Sequence, residues 1–468
     1  MYGPEFAADP HAAYRRMRAY GPVAPVELAP DTDAMLVTSY QAALEVLRSP
    51  ERFVRDPRRW KALAEGRIGY DNPVVPMLHY RPNALFADGP EHQRLRRVIN
   101  DGLARVDPNA LRGYVERIAD TLIDRFAGDG EAELLSAYAR VVPLMVFDQL
   151  FGCPPALGDR LMEGMSGIWD GVDAERKNAL LTETLVELVT IKRRRPGADV
   201  TSWMLAHPER LTDEEMVHQG ILLMGGGTEP QSNLIAGALR LLLSDDRFAG
   251  SLSGGSLPVE DALDEVLWLD PPAANYAAHY PVRDLDFHGV RLLAGEPVLI
   301  SFAAGNTDPA LASVRRAGNR AHLAWGVGPH ACPARGPARL IASVAVEKLL
   351  DRLPDLELAV PVEELEWRPG PFHRALTALP VRFPPATTAA PPPARAAVSV
   401  PVSVSLPARD RIDESAGEPW NTTSARHRPP APTSSTRPDT TSTPRPPASS
   451  RKGPRRPWSS LAAWWRGR

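Results

Sequence analysis

Cysteine is almost absent from this chain, with two residues in 468. No disulfide framework follows from so few. Also missing is any run of about 18 or more apolar residues, the length a membrane-crossing helix needs. Residues 1–16 contain no apolar signal region. A cytoplasmic protein without a transmembrane segment is the expectation. No internal repeat is visible, and residues 385–468 hold no flavin- or nicotinamide-binding fingerprint. What is plentiful is apolar residue, at 43%, enough for a large core.

The net charge of −3 hides an asymmetry. Residues 386–468 hold 13 Lys/Arg against 5 Asp/Glu, so the tail is basic at +8 and residues 1–385 carry −11. An acidic body argues against nucleic acid as a partner of the main domain. Residues 1–384 read as one mainly α domain with small β-sheets. Apolar residues recur at helical spacing through 42–47, 115–126, 142–150, 180–192, 217–243 and 338–353. Strand-like alternation marks 34–38, 286–292 and 298–301. From residue 385 a tail rich in Pro, Ser, Thr and Arg begins, and it cannot bury enough apolar surface to order itself. Its end, with Trp458, Leu461, Trp464 and Trp465, is either an unselected extension or a basic segment for an anionic membrane or an acidic partner.

Function is best read from Ala324-Trp325-Gly326-Val327-Gly328-Pro329-His330-Ala331-Cys332-Pro333. One cysteine stands in a glycine-rich loop ahead of a helical pattern (Leu340, Val344, Leu349, Leu350). A helix N-terminus carries partial positive charge, so a cysteine there leans towards thiolate, the metal-binding form. The glycines let a flat ligand approach the backbone. Alone, such a cysteine reads as a buried structural residue. Cys153, in Leu150-Phe151-Gly152-Cys153-Pro154, is read that way, at a helix end. Upstream, Glu91-His92-Gln93-Arg94-Leu95-Arg96 puts His92 and Arg96 one helical turn apart, two donors on one face. Asp88-Gly89-Pro90 is the start signal of that helix.

These segments resemble the cytochrome P-450 family, from near the N-terminus to about Phe383. The loop is similar to its haem-binding pattern F-x-x-G-x-H-x-C-x-G, matched by Gly328, His330 and Cys332, with Trp325 in place of Phe and Ala334 in place of the second Gly. Ala338 and Arg339 match further on. The resemblance implies a single haem-thiolate domain, with haem b (iron protoporphyrin IX) as cofactor and Cys332 as its axial iron ligand. His92 and Arg96 would hold the haem carboxylates, with His330 a further donor. His279 falls where the family usually has another carboxylate-binding arginine, five residues before Asp284.

Gly225-Gly226-Gly227-Thr228-Glu229-Pro230-Gln231-Ser232 resembles the family's oxygen-activation stretch, A-G-x-E-T-T. Three glycines and a proline inside a helical pattern predict a break. Glu229 takes the place of the acid, and Pro230 that of the threonine whose hydroxyl orders water for proton delivery. Proline has neither hydroxyl nor N–H. Glu229 is therefore the expected proton carrier, with Thr228, Gln231 or Ser232 ordering water. Ala262-Leu263-Asp264-Glu265-Val266-Leu267-Trp268 resembles the E-x-x-R helix, with Trp268 in place of the arginine. Glu265 then needs another cation, for which Arg315, Arg316 and Arg320 are candidates. Pro333 removes an N–H that could point at the sulfur.

The expected function is a haem-thiolate monooxygenase inserting oxygen from O2 into a small organic substrate, within specialised metabolism. Electrons would come from a separate ferredoxin and ferredoxin reductase. The distal pocket would draw on the 217–243 helix and on loops of residues 58–85. Pro230 motivates a peroxide-driven variant. The departures at Trp268, Pro230 and His279 motivate a third reading, a non-catalytic haem-binding or haem-free scaffold.

Overall fold

The computed structural model describes residues 1–170, 173–245, 247–248, 259–316 and 318–385. The tail reading, apart from Pro385, lies outside the described residues. Helices dominate, as the spacing predicts. Tyr40–Arg48, Pro108–Ile123, Val141–Phe151, Ala174–Arg194 and Arg335–Arg352 form where periodic apolar residues were found. Gly89–Leu103, Pro155–Asp170 and Val259–Leu269 join them.

The long helix Asp213–Ser244 organises the helical side. A capping box starts it: Thr212 Oγ1 accepts from Glu215 N, and Glu215 accepts from Thr212 N. Its N-terminal half buries Met216, Val217, Ile221 and Met224 in one apolar cluster, shared with Gly89–Leu103 and Ala174–Arg194. Its C-terminal half buries Leu234, Ile235, Leu239 and Leu242 in a second, shared with Pro108–Ile123, Val259–Leu269 and Arg335–Arg352. The expected break at Gly225 to Pro230 does not occur, and the helix runs through Pro230. Packing on both flanks outweighs weak local propensity, because most helical stability in proteins comes from tertiary burial.

Sheets collect on the other side. A five-stranded sheet has the order Val23–Ala29, Thr32–Val37, Val298–Ser301, Asn275–Pro281, Phe53–Val54. Thr32–Val37 runs parallel to Val298–Ser301, and the remaining pairs are antiparallel. Glu131–Glu133, Pro380–Arg382 and Glu357–Leu358 form a small second sheet. The pattern at 286–292 is a hairpin of Leu285–Phe287 and Val290–Leu292 rather than one strand. His288 and Gly289, both at positive φ, make its two-residue turn. Among the described residues no helix is long and apolar enough to cross a membrane.

Candidate functional site

The cysteine loop is built by close backbone approaches. Cys332 N donates to Trp325 O at 2.7 Å, closing the loop across its glycines. Gly328 has φ 75°, and a Cβ there would sit 2.3 Å from Leu47 O, so only glycine fits. Gly328–His330 is a short 3-10 turn, and helix Arg335–Arg352 starts just past Cys332. Trp325 is half-buried and packs on the cluster around that helix. The helix end does not by itself make a thiolate. Burial pushes the Cys332 thiol up, against the Ala334 N–H and the charges of Arg96 and Arg335. Cys153 follows Gly152, the left-handed cap of Val141–Phe151; burial and Asp148 also push its thiol up.

His92 and Arg96 project from Gly89–Leu103 towards that loop. Arg96 Nη2 donates to Ala331 O, and its Nε to Asn100 Oδ1 at 3.1 Å. The rings of His92 and His330 lie 4.0 Å apart, tilted by 39°. His330 Nε2 stands 3.9 Å from Asp88 Oδ1. Burial, then Arg96 and Arg55, lower the His92 pKa to about 4, so the ring is neutral at pH 7. Its Nε2 is buried with no hydrogen-bond partner among the described residues. His279 lies in Asn275–Pro281, and its Nδ1 contacts Ala277 O at 2.6 Å. Burial, then Arg55, hold its pKa well below the usual value.

Gly226 and Gly227 are exposed although the helix around them is buried, and a Cβ on Gly225, Gly226 or Gly227 would meet nothing within 4 Å. Pro230, three and four residues on, shares that face. The polar residues between point elsewhere. Thr228 Oγ1 donates to Met224 O at 2.8 Å. Gln231 Nε2 donates to Ala338 O at 2.8 Å, tying this helix to Arg335–Arg352. Glu229 is 4% exposed, ion-paired with Arg368 and bonded by Asn233 Nδ2 at 3.2 Å. Arg368 in turn donates from Nε to His373 Nε2 at 3.0 Å. Sequence reading missed Arg368, which lies 139 positions from Glu229 with no local signal.

Trp268 is buried, and its Nε1 donates to Asn319 O at 2.7 Å while its ring meets His322 edge-on at 5.8 Å. Glu265 pairs with Arg316 at 3.4 Å, one of the three candidates, and with Arg247 at 3.4 Å, which was not among them. Arg320 pairs instead with Asp264 at 3.1 Å and Glu260 at 3.3 Å. Arg339 joins the same two carboxylates. The region beneath the cysteine loop is thus tied by Asp264 and Glu260 rather than by an arginine at 268.

Among the described residues no group of three His, Cys, Asp or Glu could hold a bare metal ion. The donors fit a flat ligand instead. A single thiol offers one ligand bond, Arg96 and the unpartnered His92 Nε2 suit carboxylates, and the glycine face leaves room for a ring.

No family model matches the chain. It is 32% identical to the cytochrome P450 monooxygenase PikC of Streptomyces venezuelae over 402 residues, 81% of this chain and 92% of the relative. It is 33% identical to nocardicin C N-oxygenase of Nocardia uniformis subsp. tsuyamanensis over 398 residues, 82% and 98% of the two chains. Among solved structures, CYP154C4 from Streptomyces sp. W2061 superposes with a TM-score of 0.74 at 27% identity, over 80% of this chain and 95% of that one.

Proposed function

The chain belongs to the cytochrome P450 family and is a haem-thiolate monooxygenase acting with O2 on a small organic molecule, and on that premise we propose that Cys332 would hold the iron of haem b through its sulfur. The observation that carries this assignment is the closed loop that sets Cys332 beside Arg96 and the tilted His92–His330 pair. Bound there, the haem supplies the redox iron at which O2 is activated. His92, through its unpartnered Nε2, and Arg96 hold the haem carboxylates, with His330 beside them. Ala334 N–H donates to the Cys332 sulfur, while Pro333 has no N–H to add. The strip of exposed Gly226 and Gly227 and half-buried Pro230 forms the wall against haem and substrate, and the segment of residues 58–85 completes the pocket.

Glu229 is the proton carrier of this reading. It pairs with Arg368 and must leave that partner to serve the open face. Electrons are assigned to a separate ferredoxin and its reductase, on family likeness alone. The substrate is assigned to specialised metabolism, a class supported by relatives named for polyketide biosynthesis and mycinamicin IV oxidation. One observation favours a second reading, turnover driven by hydrogen peroxide. The face of Gly226, Gly227 and Pro230 presents neither a hydroxyl nor an acid, and peroxide brings both its oxygen and its protons.

The test is the absorption spectrum of the whole chain, reduced and carbon monoxide-bound. The red-shifted Soret band of thiolate ligation is expected, and Cys332→Ser should abolish it while leaving the far-UV circular dichroism unchanged. A red-shifted band surviving in Cys332→Ser would remove the assignment.

A further inference from the structure

Arg55 is 3% exposed, yet it forms no salt bridge among the described residues. Its Nε reaches Leu85 O at 3.4 Å, and its Nη1 has no hydrogen-bond partner among the described residues. A buried guanidinium with no ion pair is costly, and an anion bound beside it would offset that cost. The surroundings of Arg55 say where that anion lies. Its charge acts on His92, His279 and His330, which come from three separate elements. It also acts on Tyr276, Tyr280 and Asp88.

Asp88 fixes this placement. Its carboxylate accepts from Arg55 N at 2.9 and 3.0 Å and from Asp56 N at 3.2 Å, and it heads the helix that carries His92. The strand before Arg55 pairs antiparallel with the strand of His279, Phe53 opposite Pro281 and Val54 opposite Tyr280. Arg55 directly follows the end of that ladder, and position 279 directly precedes Tyr280 on the other strand.

His279 cannot do what an arginine would do there. Ala277 O only accepts, so His279 Nδ1 must carry the proton of their 2.6 Å contact. In a ring kept neutral by burial, Nε2 is then an acceptor, which repels a carboxylate. Ala277 itself sits at φ 56°, where the strand's register shifts, so the backbone is shaped to hold this arrangement.

We propose that Arg55 binds a haem carboxylate, supplying across the strand pair the guanidinium that the family carries at position 279. The assignment rests on the haem reading above. It makes the pair of positions an exchange: arginine stands just past the end of the neighbouring strand, and histidine at 279 is a neutral, inward-bonded residue.

Haem loss from the full chain to excess apomyoglobin tests it, with the thiolate spectrum and the reduction potential read alongside. Arg55→Gln should lose haem roughly tenfold faster, the scale on which supporting contacts change retention of a metal centre. Its reduction potential should fall, because a cation beside the carboxylates is gone. Arg55→Lys should lie between. The exchange variant, Arg55→Ser with His279→Arg, should return to within about threefold of the parent. An Arg55→Gln protein that keeps haem at the parent's rate overturns the proposal, including the case where only a substrate-induced spectral shift changes. If Arg55→Gln takes up no haem, the exchange variant decides: loaded, it supports the exchange, and empty, it overturns it. A parent chain without haem would instead bring down the cofactor assignment itself.

Discussion

At the scale of single residues, the polar residues in the middle of the long helix are committed to protein partners. Glu229 carries the sharpest consequence. Glu229→Gln should keep the thiolate spectrum and lower O2-dependent turnover by about 100-fold, the usual weight of one positioned acid or base. Peroxide-driven turnover by the same variant should be nearly unchanged, because peroxide brings its own protons. Equal losses by both routes would remove Glu229 from proton delivery. How much was legible in the sequence divides along the same line. Cys332, His92 and Arg96, which the structure gathers around one loop, were singled out because each sits in a local spacing. Arg368 and Arg55 could not be, since each is defined by what distant elements bring beside it: Glu229 for Arg368, and His92, His279 and His330 for Arg55. Glu265 lies between: Trp268 announced a missing cation, and Arg316 was within reach of inference, but Arg247 comes from beyond the end of the long helix.

At the scale of elements, the helix Asp213–Ser244 shows where periodicity and propensity part company. Its apolar spacing was legible and its extent nearly so. Its continuity was not, because Gly225, Gly226, Gly227 and Pro230 read locally as a break, while burial of both halves is a property of the fold. Those glycines lower stability for the sake of an open face. Gly226→Ala should therefore raise the unfolding free energy by roughly 1 kcal/mol, the difference between Gly and Ala inside a helix, since the added Cβ meets nothing within 4 Å. Denaturant midpoints at constant m-value measure this. Substrate affinity should fall in the same variant, because the methyl group enters the wall of the pocket. A Gly226→Ala protein that binds substrate as the parent does would place the pocket on another face.

At the scale of the whole molecule, Asp270 joins distant parts of the chain. It contacts His11 at 3.4 Å, Arg374 at 3.1 Å and Arg240 at 3.6 Å, linking the N-terminal region, the long helix and the segment before the last strand. Burial alone would raise its pKa, but His11, Arg374 and Arg240 together hold it down at about 2. A carboxyl depressed on folding contributes stability that is fully present above its ordinary pKa and is lost as pH falls through the folded value. Unfolding free energy should therefore decline between about pH 4 and pH 2, and that part of the decline should vanish in Asp270→Asn. At pH 7 the same variant should be destabilised by roughly 3 kcal/mol, because buried cations lose their counter-charge. The five-stranded sheet binds the two ends of the domain in the same way: Val37 pairs with Ile300, and Val54 with Tyr280. During synthesis, then, the first strands leave the ribosome long before the strands that complete their sheet. The proposed cofactor cradle is divided likewise, with Arg55, His92 and Arg96 early and His330 and Cys332 late. If these residues hold the haem as proposed, its capture would wait until nearly all of the domain has been translated.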